Sequence, residues 1–186
     1  MGMPALSPPP EFWTADMVLG LPPDGCRYET AHGKLVVTPA PSLWHQIVVD
    51  RLADALKRYL ASEPVGMALA LPADISWGPD SLVQPDLFVA PWDEVRTLDW
   101  RRVQTLLLVA EVLSPGSHRG DRGAKRRLYQ EAGVPLYWVI DPVGRTTESW
   151  TLGARKPVVI PDTLRWHPAG ARISFTLDLE TLFAPV

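Results

Sequence analysis

Two apolar runs flanking a polar, basic stretch dominate the hydrophobic pattern of this chain. Residues 106–113 read Leu-Leu-Leu-Val-Ala-Glu-Val-Leu and residues 134–140 read Val-Pro-Leu-Tyr-Trp-Val-Ile. Each is apolar enough for a strand buried on both faces. Between them Ser114-Pro115-Gly116 breaks the first strand, and Asp121, Lys125 and Tyr129 recur at a spacing of four, which puts them on one stripe of a helix. Strand, helix, strand is a crossover unit between parallel neighbours, and ligands of such units gather at the strand ends.

The rest of the chain supplies elements to pack around that unit. Thr14 is placed to cap a short helix reaching Leu19, and residues 21–25 form a turn. Residues 27–31 and 34–38 read as a hairpin around His32-Gly33. Ser42 is the N-cap of a long helix to about Ser62, because Trp44, Val48, Leu52, Leu56, Tyr59 and Leu60 form one apolar stripe. Strands are expected at 66–71, 73–77 and 82–90, the last interrupted by Pro85-Asp86, which a missing ladder hydrogen bond assigns to a bulge or an edge. Residues 91–102 read as a loop with a helical turn. A second hairpin at 146–160, an edge segment at 173–176 and a helical turn at 178–183 complete the series. This order predicts an α/β (α+β mixed) fold, with a central mixed sheet flanked by helices and additional hairpins.

A length of 186 residues suits one domain with a sizeable core, here residues 12–186 behind a flexible Pro-rich arm at 1–11. The net charge of −3 does not mark a protein that binds polyanions over its whole surface. Residues 119–127 nevertheless hold five basic side chains against one acid, a local +4 that leaves −7 elsewhere. A single cysteine, Cys26, excludes an internal disulfide framework and a multi-cysteine zinc site. With no signal-peptide pattern and no apolar run near the roughly 20 residues of a membrane span, a cytoplasmic protein with no membrane partner is expected.

Glu111 lies inside the first apolar run, where an unpaired ionised carboxylate costs several kcal/mol, so pairing, metal binding or catalysis is implied. Asp86 follows a proline at the interruption of its strand. Taken alone, the lesser reading of Asp86 is a turn acid after a proline, and that of Glu111 a structural acid salt-bridged to a helix arginine. Lys125 is equally an exposed helix lysine paired with Asp121. The glycines near Lys125 lack the Gly-Lys-Ser/Thr ending of a phosphate-binding loop. Ser117, His118 and Asp121 crowd into one loop, unlike a catalytic triad.

In order, the chain shows Tyr28-Glu29 with Gly33-Lys34, His45, Pro85-Asp86, Glu-Val-Leu-Ser-Pro from Glu111, Asp121, Lys125 and Tyr129, Gly133-Val134, and Tyr-Trp-Val-Ile-Asp-Pro from Tyr137. This series resembles the PD-(D/E)XK nuclease superfamily and, within it, the family known as the putative restriction endonucleases. The resemblance implies a restriction-endonuclease-like fold and a metal-dependent DNA endonuclease. Its site residues would be Asp86, Glu111 and Lys125, with Mg2+ (Mn2+ as substitute) held by Asp86, Glu111 and the Val112 carbonyl. Glu29, His45 and Tyr129 would be accessory, and Arg119, Arg122 and Arg126 would contact phosphates. Leu113 stands where the superfamily places its lysine, and Lys125 is the substitute the resemblance implies. Cutting two strands implies a homodimer, with Trp77 and Trp150 as apolar anchors. Asp86 and Glu111 are expected to repel each other and to resist ionisation without metal. The other class of reading is an inactive nucleic-acid-binding or structural protein on the same fold.

Overall fold

The computed structural model describes residues 10–70, 72–114 and 121–186. Helix α1 (Ala15–Leu19) is capped by Thr14, and β1 (Arg27–Ala31) and β2 (Lys34–Thr38) form the expected hairpin, turning through His32 and Gly33 at positive φ. Helix α2 spans Leu43–Ser62, with the Ser42 hydroxyl accepting the His45 N–H at 3.2 Å. Strands β3 (Gly66–Leu69), β4 (Ile75–Gly78), β5 (Ser81–Val83) and β6 (Leu87–Pro91) follow, then α3 (Trp92–Val95), a 3-10 turn and β7 (Leu108–Val112). A π-helical turn, Asp121–Lys125, runs into α4 (Arg126–Glu131) and leads to β8 (Leu136–Asp141). The chain closes with β9 (Thr146–Thr151), β10 (Val158–Ile160), β11 (Thr163–Trp166), β12 (Phe175–Asp178) and α5 (Leu179–Leu182).

These strands build a six-stranded sheet in the order β10-β9-β8-β7-β6-β3, a four-stranded sheet β2-β1-β5-β4 and a ribbon β11-β12. Among the described residues only β7 and β8 pair in parallel, so the large sheet is mixed and the crossover read from the sequence lies at its centre. Strand periodicity divides the large sheet between two cores. On one face Leu87, Val89, Leu108, Ala110, Val112, Trp138 and Ile140 pack against Val48, Leu52 and Leu56 of α2. On the other, Phe88, Ala90, Val109, Leu113, Tyr137 and Val139 pack against Leu128 and Tyr129 of α4 and Ile75 and Val83 of the small sheet. Glu111 stands two positions from both Val109 and Leu113, and so belongs to that second face.

The structure departs from the expectations in three places. Residues 82–90 are not one strand with a bulge: they split at Gln84-Pro85-Asp86 into β5 and β6, which belong to different sheets. A proline that cannot donate and an acid that must be paired make this a corner. Strand β11 was unforeseen, because its four residues follow Pro161-Asp162 and show too few alternations to register, and the edge segment read at 173–176 begins later as its partner β12. Trp150 is buried on β9, between β8 and β10, and so is not an exposed anchor, while Trp77 is half-buried and donates its indole N–H to Gln104 O at 2.8 Å.

Leu56 is fully buried between α2 and the large sheet. Leu56→Ala is expected to cost about 2–5 kcal/mol, and Ser42→Ala about 1 kcal/mol through the lost cap. Urea unfolding with an unchanged m-value checks both, and a Leu56→Ala cost no larger than the cap's would contradict this account of the core.

Candidate active site

The register β6–β7 pairs Leu87 with Ala110, Phe88 with Val109 and Val89 with Leu108. One step further brings Asp86 opposite Glu111, which explains how acids 25 positions apart in sequence meet at one sheet end. Asp86 Oδ2 accepts the Val112 N–H at 2.9 Å. A strand residue's N–H and C=O point to the same side, so the Val112 carbonyl also faces the Asp86 side.

The crossover helix delivers the other partners. Lys125 and Tyr129 lie one turn apart on the same stripe. The Tyr129 hydroxyl donates to Glu111 Oε1 at 2.8 Å and Lys125 Nζ to the same oxygen at 3.2 Å. Lys125 is 2 % exposed, which excludes the solvated helix lysine considered from the sequence. Its Nζ also stands 2.7 Å from Glu29 Oε2, an ion contact whose angle falls short of a directed hydrogen bond. The π-helical turn immediately before α4 sets the angle at which Lys125 enters.

From β1, Arg27 Nη1 donates to Asp86 Oδ1 at 2.8 Å. His45, buried near the start of α2, approaches the same oxygen at 3.5 Å with Nε2, and neither of its ring nitrogens makes a hydrogen bond among the described residues. Arg27, His45, Asp86, Glu111, Val112 and Lys125 line a narrow cleft that Thr38, Pro39, Pro41 and Ser114 complete, with about 10 Å3 of room, enough for the centre of one water-sized particle. The wider depression walled by Met67, Leu69, Val95, Trp100 and Val103 is apolar apart from Asp99 and lacks such chemistry.

Burial opposes ionisation of Asp86, but the His45 ring, the Arg27 guanidinium and the Lys125 ammonium outweigh it and hold the carboxyl well below the usual range. The expected mutual repulsion of Asp86 and Glu111 therefore does not govern Asp86, because Arg27 supplies a positive charge that was not anticipated. Burial, followed by the Glu111 charge, pushes the Tyr129 phenol well above its ordinary value, keeping it a proton donor. Arg27 is the residue that sequence reasoning missed. Its signal was the Arg-x-Glu spacing on β1, which puts a cation on the same strand face as Glu29.

The basic patch is less open than its composition suggested. Arg122 Nε donates to Glu148 Oε1 at 2.6 Å, and Arg126 donates to Gln130 Oε1 at 2.7 Å while lying 4.8 Å over the Trp150 ring. Arg119 lies outside the described residues.

Three buried carboxylates, Glu29, Asp86 and Glu111, face two cations, Arg27 and Lys125. The excess negative charge and all-oxygen donors suit a hard divalent ion. Among the described residues no group of three or more His, Cys, Asp or Glu side chains is arranged to hold a metal. Asp86, Glu111 and the Val112 carbonyl would offer an ion three oxygens, with waters to complete its shell.

The fold is restriction-endonuclease-like. The same fold occurs in a crystal structure from Anabaena variabilis described as a putative nuclease, with a TM-score of 0.76, 21% identity, and coverage of 92% of this chain and 98% of that one. The family model described as putative restriction endonuclease matches residues 15–180, and the chain belongs to that family. No curated protein matches it. Among the described residues no helix is long and apolar enough to cross a membrane.

Because the folded Asp86 value is lowered, its ionised contacts add stability above the unfolded value of about 3.9, and that contribution is lost as the pH falls below it. Asp86→Asn is expected to cost about 3–5 kcal/mol at neutral pH, since it strips Arg27 of its buried partner. The gap between wild type and variant should close on acidification below about pH 4 in urea unfolding. A gap independent of pH would show that Asp86 is not held as an ionised partner.

Proposed function

We propose that this protein is a divalent-cation-dependent endonuclease that hydrolyses phosphodiester bonds of DNA. The observation that carries the reading is the convergence of Asp86, Glu111 and buried Lys125, from two strand ends and a crossover helix, on one cleft. The family's description and the printed name of the Anabaena protein support a nuclease.

Asp86, Glu111 and the Val112 carbonyl would hold the ion, magnesium or manganese. When bound, it supplies Lewis-acid chemistry, stabilising charge on phosphate oxygens and making water a stronger acid. The chain's own groups do the rest. Lys125, a buried ammonium beside Glu111, offers a donor to an entering water or to charge growing on the phosphate, in a site where water does not weaken it. Tyr129 holds Glu111 in one orientation through its phenolic hydrogen bond. Arg27 and His45 keep Asp86 ionised. In this reading Arg122 and Arg126 touch backbone phosphates along the approach to the cleft, and two such sites in a homodimer would cut both strands.

Glu111→Gln keeps the shape and removes the charge. It should abolish cleavage and also the rise in melting temperature that manganese gives the wild type, a rise that grows with ion concentration. A wild type with no thermal response to manganese and no cleavage would instead favour an inactive nucleic-acid-binding or structural role.

Replacing Arg122 and Arg126 together by Gln should weaken binding to every DNA sequence alike and reduce the salt slope by roughly 1 per lost phosphate contact. An unchanged slope would restrict both arginines to anchoring α4 against β9.

A further inference from the structure

Arg27 and Glu29 stand two residues apart on β1 and so share one face of the strand. Both reach the backbone of the same residue, on the peptide groups either side of its Cα. Glu29 Oε1 accepts the Gln84 N–H at 2.7 Å, and Arg27 Nη1 donates to Gln84 O at 2.9 Å. Gln84 has already left β5, and Pro85 has no N–H to offer, so side chains supply the hydrogen bonds a sheet neighbour would have made.

The other contacts of the pair run to the proposed catalytic groups. Arg27 Nη1 continues to Asp86 Oδ1 at 2.8 Å, and Glu29 Oε2 meets Lys125 Nζ at 2.7 Å. Glu29 is fully buried, with Oε1 accepting the Gln84 N–H and Oε2 in ion contact with Lys125 but in no directed hydrogen bond. Glu29 is absent from the lining of the cleft that Asp86, Glu111 and Val112 share, which leaves it a partner of Lys125 rather than of an ion there.

We propose that Arg27 and Glu29 are a positioning pair: holding the Gln84 backbone on both sides of its Cα, they set Asp86 and Lys125 relative to Glu111. The assignment rests on the nuclease reading for what those positions serve. Without Glu29, the ammonium is drawn toward Glu111 and away from its place between the two acids. Without Arg27, the corner that carries Asp86 loses its anchor.

The test uses the full chain and five variants: Arg27→Met, Glu29→Gln, Lys125→Met and the double variants Arg27→Met/Glu29→Gln and Glu29→Gln/Lys125→Met. Glu29→Gln should lower kcat about 10- to 100-fold on plasmid DNA while KM and manganese affinity by calorimetry stay within about threefold. Combining Arg27→Met with Glu29→Gln should cost less than the product of the single losses, because each disables the same corner. In chelator, the Glu29→Gln/Lys125→Met variant should melt above Lys125→Met, since the latter strands the buried Glu29 charge. A tenfold or larger loss of manganese affinity in Glu29→Gln would make Glu29 an ion ligand and overturn the proposal, as would an undiminished kcat. Should Glu29→Gln not fold, the melting comparison decides, and a Glu29→Gln/Lys125→Met variant melting no higher than Lys125→Met refutes the coupling of Glu29 to Lys125 on which the proposal rests. A wild type that cleaves no nucleic acid sinks the nuclease reading, and the same melting comparison then judges the pair.

Discussion

A cluster of charge that cannot reach water governs this structure. Glu29, Asp86, Glu111 and Lys125 are all buried, and an ionised group moved from water into such a place costs several kcal/mol unless met by an opposite charge and hydrogen bonds. Each of these groups has such a partner, and the partners come from four separate places in the chain: β1, the corner before β6, the end of β7 and the turn entering α4. The charges are tolerable only when those elements are all docked. A partly docked chain would carry unpaired buried ions, so the cluster opposes near-native alternatives even where it adds little net stability.

The apolar layers make this arrangement affordable. Both faces of the large sheet are covered, by α2 on one side and by α4 with the small sheet on the other. Glu111 therefore enters on a strand whose remaining residues are anchored by packing, and Lys125 and Tyr129 sit on a helix held to β9 by Arg122–Glu148 and by Arg126 over Trp150. The arginines that looked like a free basic face contribute to the rigidity of the helix behind the lysine.

Much of this was legible in the sequence because it is written in local terms. The caps at Thr14 and Ser42, the His32-Gly33 turn, the stripe of α2 and the apolar runs of β7 and β8 each follow from residues within a few positions of one another, as does the sharing of one face by Lys125 and Tyr129. What was not legible depends on distant pairing. The break at Gln84 to Asp86 looked like a bulge because a sequence does not say that the strands on either side belong to different sheets. Arg27 looked like one more charged residue in a hairpin because its partner lies far along the chain at Asp86. Likewise the expected repulsion between two acids ignored a cation that only the fold brings near.

The corner at Gln84 to Asp86 is also a seam. The chain crosses there from the small sheet to the large one, and a carboxylate of the proposed site is carried on the crossing itself. Asp86 therefore behaves like a mark scribed across two plates, true only while the plates stay aligned. A slip of about 1 Å between reacting groups can cost a hundredfold in rate. The small sheet, whose strand β1 carries Arg27 and Glu29, thus sets the mechanical tolerance of the whole centre.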